Sequence, residues 1–533
     1  MKIKKNAIIL AAGKSNTFAP FTYEKPKGLF KVKNEILIER QINQLIEAGV
    51  ESIYIVVGYM KEKFFYLENK YSNVQLIVNN KFGYRGNVNS IFVARSFLKN
   101  TFICCADQYF IDNPFLDNNE TNLSYRAITY FSGKFKKFGV SISESSIITD
   151  FTIGGKDSFA MIGHAYFNES FSNIFKDLLE KEINNFGVIA LFWEEFYAKH
   201  MKEISLYAKE YSLSSILEFD SIEDLRQFDN AFLLNVDSEI IDNISKTLKC
   251  DPNKITDIAV INAGLTNVSF AFQVENMKYV YRHPGGTANN LIDRKTELFI
   301  QMAARETGID KSIIAMDLTG WKISHYVEDA KNCDFEKNPK QLKIAMDYLH
   351  RLHNITADNT VKIFDDVIEG KKLMTIASHT KGNLLKEFGL LIEKIEKLYD
   401  YVKKDAKRLG YSLVPCHNDT YAPNYLYDKN GDIYLIDWEY AGLNYAANDI
   451  CCITCRYDWT ETEINNYFEA FFNRKLTKDE ERFYWAFHPI CGFYWFCWGL
   501  YKGSVGDDDG FFFMPAYRNC IKYIDKALAS YEE

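Results

Sequence analysis

Residues Pro415–Gly442, PCHNDTYAPNYLYDKNGDIYLIDWEYAG, constrain this chain more than any other stretch. They hold His417-Asn418-Asp419, then Asn424 five positions after Asp419, and Asp437 eighteen positions after it. Asn430-Gly431 between them is a hairpin signal, flanked by the apolar-rich runs Tyr425–Tyr427 and Ile433–Ile436. A hairpin there returns Asp437 to the side of Asn424. Two Asp and one Asn then converge on one point, as phosphoryl transfer requires. One Asp orients and deprotonates the attacking hydroxyl, while Asn and the second Asp hold Mg²⁺ on the nucleotide phosphates.

The D-x-x-x-x-N offset is that of the protein-kinase catalytic loop, but the metal Asp lies in I-D-W-E instead of D-F-G. With His417-Asn418-Asp419 and Ile436-Asp437-Trp438-Glu439, the stretch resembles the choline kinase and aminoglycoside phosphotransferase group. That resemblance implies a two-lobed, protein-kinase-like domain with Asp419 as catalytic base and Asn424 and Asp437 as Mg²⁺ ligands. Asn448-Asp449 resembles the group's usual Asp after the metal loop, a loop-fixing residue.

A chain of 533 residues exceeds one hydrophobic core, so two domains are expected. Net charge −8 gives no electrostatic reason to expect nucleic acid or an anionic membrane as partner. The apolar run Pro489–Leu500 is too short to cross a bilayer and reads as a buried helix. Eleven irregularly spaced cysteines, with no signal peptide before the first strand-like run, imply reduced thiols and a cytoplasmic setting. Cys451-Cys452-x-x-Cys455 lacks the second ligand pair of a zinc site.

At the start of the chain, the buried-strand run Ala7–Leu10 leads into Ala11-Ala12-Gly13-Lys14-Ser15. A strand entering a small-residue loop brings backbone N–H groups close to phosphates. Pro26-Lys27-Gly28-Leu29, a helical pattern over Ile38–Ala48 ending at Gly49, and the strand Ser52–Val57 follow. Strand, helix, strand in this order implies a parallel sheet with right-handed crossovers. The pattern L-A-A-G-x-x-x-x-x-x-P-x-T-x-x-x-P-K resembles the sugar-phosphate nucleotidyltransferases, and within them bacterial CTP:phosphocholine cytidylyltransferases. The likeness continues through Asn87-Val-Asn-Ser90, Ile103–Asp107, Met161–Phe167 and Glu218–Leu225. It implies a Rossmann-like α/β domain over residues 1–232, binding CTP through Ala11, Ala12, Gly13, Lys14, Asn87 and Ser90. Lys27 would be a catalytic cation, and Asp107 and Asp220 would hold a second Mg²⁺. Where the family has Arg to neutralise the triphosphate, this chain has Thr17, which brings no charge.

A kinase-like domain is expected over residues 238–533. Ile258–Ile261, the loop Ala263–Asn267 and Val268–Val274 read as strand, loop, strand. That loop, including Asn267, stands where kinases keep their phosphate-covering loop. Arg282 on the next strand and Glu297 at the start of a helix resemble the basic residue and helix Glu that hold ATP in kinase-like folds. Lys340–Leu409 is mostly helical, and His350 and His353 on one of its faces are given no chemistry. Trp495 and Trp498, three apart on a helix, resemble the W-x-x-W of choline kinases, with Tyr440 as a third wall. A quaternary ammonium offers no N–H, so aromatic faces must recognise it. Trp193 and Glu194 form either a second choline site or a packed helix face.

Together these readings make the chain a bifunctional transferase. The two resemblances imply that the second domain would convert choline and ATP to phosphocholine and the first would join phosphocholine to CTP, giving CDP-choline for phosphocholine decoration of bacterial surface glycans. Ethanolamine is the alternative acceptor, and a kinase carrying a non-catalytic nucleotide-binding module is the alternative architecture. Oligomeric state is not legible.

Overall fold

The strand Asn6–Ala11 is buried from Ala7 onward because both its neighbours run parallel to it and cover its edges. Leu10 lies opposite Val56 on one side and opposite Cys105 on the other. The full sheet runs Tyr207–Glu210, Tyr125–Ile142, Ile148–Phe167, Thr101–Cys105, Asn6–Ala11, Ser52–Val57, Val74–Val78. Odd and even residues of the central strand feed separate cores. Ala7 and Ile9 pack with Ile38, Ile42 and Leu45 of the helix Leu37–Glu47, whereas Ile8 and Leu10 pack with Ile91, Phe167 and Trp193. A sheet covered on both faces leaves the C-terminal ends of its parallel strands as the ligand crevice. Ala11-Ala12-Gly13 and Ala106-Asp107 emerge there.

The computed structural model describes residues 3–116, 122–261, 267–284, 292–506 and 510–532. It divides into two compact units, Met1–Thr256 and Asp257–Glu533. The boundary therefore falls after the helix Glu239–Leu248 and not in the 233–237 stretch that the sequence suggested. The reason is local. Glu24 accepts hydrogen bonds from Ser238 Oγ at 2.5 Å and Ile240 N at 3.0 Å. Lys25 Nζ donates to the carbonyl oxygens of Val236 and Asp237 at 2.8 and 2.9 Å. The helix buries Ile240, Ile241 and Ile244.

The second unit has two lobes. A five-stranded sheet runs Ile255–Ile261, Asn267–Val274, Met277–Pro284, Lys322–His325, Ile313–Met316 and carries the helix Arg294–Glu306. The other lobe is helical and centred on Lys478–Ser504, whose residues are apolar on every side from Phe483 to Cys497, the pattern of a buried helix. At Gly492 a side chain would lie 2.8 Å from the Ala516 carbonyl oxygen, so the helix Gly510–Glu532 approaches there as only glycine permits. Between sheet and helices lie two short pairings, Val414–Cys416 with Gly442–Asn444 and Tyr425–Tyr427 with Ile433–Leu435. No helix among the described residues is long and apolar enough to cross a membrane. All eleven cysteines are free, and Cys452 and Cys455 turn toward Cys491 at 3.3 and 3.5 Å.

Candidate active sites

In the second unit the hairpin closes as its turn chemistry demands. Asp428 Oδ1 accepts the backbone N–H groups of Asn430 and Asp432, both at 2.9 Å, and Gly431 takes φ 84°. Tyr425 then faces Leu435, and Ile436 N donates to Asn424 O at 2.9 Å, which sets Asp437 beside Asn424. Asn424 Nδ2 donates to both the carbonyl and the Oδ2 of Asp419, at 2.8 and 3.0 Å. Its amide hydrogens are thus spent, and its Oδ1 is the atom left for a hard cation. The Asn424 amide oxygen and the Asp437 carboxylate are oxygen donors of the kind that suits Mg²⁺, and the Asp419 carboxylate stands beside them.

The loop holding Asp419 hangs from Asp449, which is fully buried on the helix Ala446–Thr454. Asp449 accepts Asn418 N at 2.7 Å and His417 N at 3.1 Å, and His353 Nε2 lies 2.9 Å from it. Asn418 and Asp437 both take left-handed φ, 62° and 66°, a strained backbone kept where the site needs it. Loss of hydration, and then the carboxylate of Glu439, push the Asp437 carboxyl up to about 7.

Arg282 and Glu297 meet as the sequence suggested, with Arg282 donating to Glu297 Oε1 at 2.8 Å. The sequence reading missed three members of the cluster. Lys322 lies directly across the ladder from Arg282 and reaches Glu297 Oε1 at 2.5 Å; Arg294 reaches Glu297 Oε2 at 2.7 Å. Glu439 accepts from Arg282 at 3.1 Å. Burial opposes charge on Glu297, yet Lys322, Arg282 and Arg294 hold its carboxyl far below the usual carboxylate range. Burial and the charge of Arg282 push the Lys322 ammonium down. The loop 262–266 and the side chain of Asn267 lie outside the described residues.

Arg282, Lys322, Asp419, Asn424, Asp437, Tyr440, Trp495 and Trp498 line one cavity of about 760 Å³. Tyr440 meets Trp495 edge-on at 5.7 Å, and Trp498 Nε1 donates to Tyr440 Oη at 2.8 Å, so the expected aromatic wall exists. It is not bare. Arg456 lies over Trp495 at 3.7 Å and pairs with Asp419, and Lys502 lies over Trp498 at 5.6 Å.

In the first unit, Lys27 is buried and bridges the crevice. Its Nζ donates to Asp107 Oδ2 at 3.0 Å and to Phe219 O at 2.6 Å, and sits 3.9 Å from the Phe18 ring. Burial raises the Asp107 carboxyl, but Lys27 and Lys137 outweigh it and hold the carboxyl low. Lys137 pairs with Glu218 at 2.5 Å; burial lowers its ammonium, but Glu218 and Asp220 outweigh that and push it up. Lys137, Glu218, Asp220 and Asp224 line an opening of about 470 Å³. Lys137 and Glu218 were not among the expected site residues; Glu218 stands in the motif itself, two places before Asp220. The loop from Ala11 to Lys14 leaves the sheet as expected, with Ala12 O accepting Tyr59 N at 3.0 Å. Gly13 has open space where a side chain would stand, so neither packing nor φ demands glycine there.

Four of the expected side chains in the first unit have partners within the protein, and for Trp193 and Glu194 the packed helix face is the arrangement present. Asn87 Oδ1 accepts Trp193 N at 2.8 Å and Ser90 Oγ accepts Asn79 Nδ2 at 3.0 Å, so both side chains brace the loop from within. Trp193 is a core residue, edge-on to Phe167 at 5.3 Å with Arg126 over its ring at 5.5 Å. Glu194 pairs with Arg126 at 3.2 Å, and burial pushes its carboxyl up to about 7. The protein's own cation already satisfies this aromatic-acidic pair.

Residues 258–485 match the family model for Choline/ethanolamine kinase, and residues 7–132 the model for the MobA-like NTP transferase domain. Over 232 residues the chain is 34% identical to the 2-aminoethylphosphonate cytidylyltransferase of Lancefieldella rimae, covering 43% of this chain and 94% of that protein. Over 223 residues it is 30% identical to the choline-phosphate cytidylyltransferase of Streptococcus pneumoniae, covering 42% and 96%. The crystal structure of the choline kinase LicA from Streptococcus pneumoniae aligns with a TM-score of 0.43 at 21% identity, covering 54% of this chain and 98% of that one.

Proposed function

For a chain that belongs to the MobA-like NTP transferases, among the cytidylyltransferases, in its first half and to the choline/ethanolamine kinases in its second, we propose a two-step synthesis of a CDP-linked amino alcohol. ATP phosphorylates choline or ethanolamine in the second half. The first half then transfers a cytidylyl group from CTP to the product and releases pyrophosphate. The observation that carries this reading is the facing of Asp419, Asn424 and Asp437 toward Arg282 in one cavity with an aromatic wall.

Asp419 Oδ2, steadied by Asn424, takes the proton of the acceptor hydroxyl. Asn424 and Asp437 would hold Mg²⁺, which when bound neutralises charge on the transferred phosphoryl group. Arg282 clamps the nucleotide phosphates, and Glu297 fixes its direction. In the first half the nucleophile is a phosphate oxygen, already an anion at neutral pH, so the task is to offset repulsion between polyanions. Lys27 and Lys14 supply charge there, and Asp107 and Asp220 would hold a second Mg²⁺. Free thiols and the need for ATP and CTP suit the cytoplasm, and the product suits donation of phospho-alcohol groups to bacterial surface glycans.

Choline is supported by the presence of an aromatic wall of Tyr440, Trp495 and Trp498. Ethanolamine is supported by the relative that acts on 2-aminoethylphosphonate, because phosphoethanolamine differs from that compound only by an ester oxygen. The phosphonate itself is an unsuitable product for the second half, since transfer to a hydroxyl makes a P–O bond and not a P–C bond. The test is phosphorus NMR of the full chain with ATP, CTP, Mg²⁺ and either alcohol. CDP-alcohol and pyrophosphate are expected, and Asp419→Ala is expected to abolish them until the phospho-alcohol is supplied. No turnover of either alcohol would end the reading.

A further inference from the structure

Arg456 follows the helix Ala446–Thr454 and enters the acceptor side of the kinase cavity. Its guanidinium lies 3.7 Å from the Trp495 ring centroid and 4.5 Å from that of Tyr421, while it pairs with the carboxylate of Asp419. The rest of Trp495 is enclosed, with Tyr494, Tyr440 and Trp498 edge-on at 5.2, 5.7 and 5.7 Å. Trp498 in turn has Lys502 over its ring. A cation gains from an aromatic face only within about 6 Å of its centroid. Each of the two tryptophan rings has a cation belonging to the protein within that range.

The consequence depends on the chemistry of the acceptor. A quaternary ammonium has no N–H and relies on vacant aromatic faces. To reach Trp495 it must first displace Arg456, which breaks a buried ion pair with the very carboxylate that receives the acceptor's proton. A primary ammonium instead donates three hydrogen bonds and needs oxygens, which the Tyr440 hydroxyl and the Glu439 carboxylate lining the same cavity offer without displacing Arg456. It is also smaller by three methyl groups.

We propose that Arg456 is the specificity-determining residue of the kinase half: by covering Trp495 and holding Asp419 it selects a small alcohol with a primary ammonium over one with a quaternary ammonium. The proposal rests on the kinase reading above and narrows its acceptor.

The experiment compares kcat/KM for ethanolamine and choline with the full chain and MgATP. The wild type is expected to favour ethanolamine at least tenfold, and Arg456→Met to move that ratio toward choline by tenfold or more. The ratio is read, because losing the pair with Asp419 slows every acceptor alike. Calorimetric choline binding gives the same comparison without turnover and is expected to tighten in Arg456→Met. If that variant does not fold, Arg456→Lys, whose narrower cation uncovers part of the indole, is expected to raise relative choline turnover several-fold. A wild type that prefers choline, or variants that lower both alcohols equally, overturn this proposal alone. A wild type that phosphorylates neither overturns it together with the kinase reading.

Discussion

Lys27 and Asp107 form an ion pair at 3.0 Å across the mouth of the first unit's sheet, and the same ammonium donates to the Phe219 carbonyl oxygen at 2.6 Å. One buried charge thus ties the short helical turn Lys27–Leu29 to the end of a central strand and to the segment bearing Asp220. Replacing it removes a tether and, on the proposed function, a cation that offsets the charge of the triphosphate. Lys27→Met is expected to lower cytidylyl transfer by about 10²-fold or more, the usual loss for one preorganised charge-stabilising donor. Phosphorylation of the alcohol by the same variant, followed by coupled ADP release, is expected to stay at the wild-type rate.

Glu297 is surrounded by Lys322, Arg282 and Arg294 and has no exposure to solvent. Glu297→Gln leaves three cations with Glu439 as the remaining carboxylate of the cluster. Removing one partner of such a buried cluster costs about 3–5 kcal/mol. A lower urea midpoint for the second unit is the expected result, together with a raised KM for ATP. An unchanged midpoint would mean that Glu439 alone balances the three cations.

Thr17 is exposed beside the small-residue loop of the first unit, at the position where the resemblance implies Arg. Thr17→Arg is expected to raise kcat/KM for CTP several-fold if the first half is a working but weakened enzyme. No CDP-alcohol from either wild type or Thr17→Arg would leave a kinase with a silent nucleotide-binding module.

Asp366 is buried and accepts Asn444 Nδ2 at 2.9 Å, and loss of hydration pushes its carboxyl up to about 8. An unfolded Asp titrates near 4. Between roughly pH 4 and pH 8 the folded chain therefore binds a proton that the unfolded chain has lost, so stability falls as pH rises through this window. Asp366→Asn keeps an oxygen for Asn444 and has no proton to lose. It is expected to stabilise the second unit at pH 8 much more than at pH 5, read as the difference in Tm between the two.

The convergence of Asp419, Asn424 and Asp437 was legible because a fixed offset and a hairpin signal are both local. The pairing of Arg282 with Glu297 was legible by resemblance. Lys322 was not, since only antiparallel register brings it opposite Arg282, and a lone Lys in an alternating run reads as a solvated edge. Arg456 gave no signal within its cysteine-rich surroundings. Its role depends on the Trp495 ring, which is far away in sequence and was read as a wall for substrate. Trp193 and Glu194 show the same ambiguity: an aromatic beside a carboxylate describes a cation site, and the cation here is Arg126. The domain boundary was misplaced because the bonds from Glu24 and Lys25 to residues 236–240 span the whole first unit.

Asp449 receives the amide hydrogens of His417 and Asn418 while buried within the helical lobe. Those two amides cannot meet solvent unless the helix that carries Asp449 comes away from its neighbours. Their hydrogen exchange is therefore expected to be as slow as that of the lobe's innermost helix, and to require its cooperative opening. A loop that carries the chemistry would then be among the last parts of the chain to unfold.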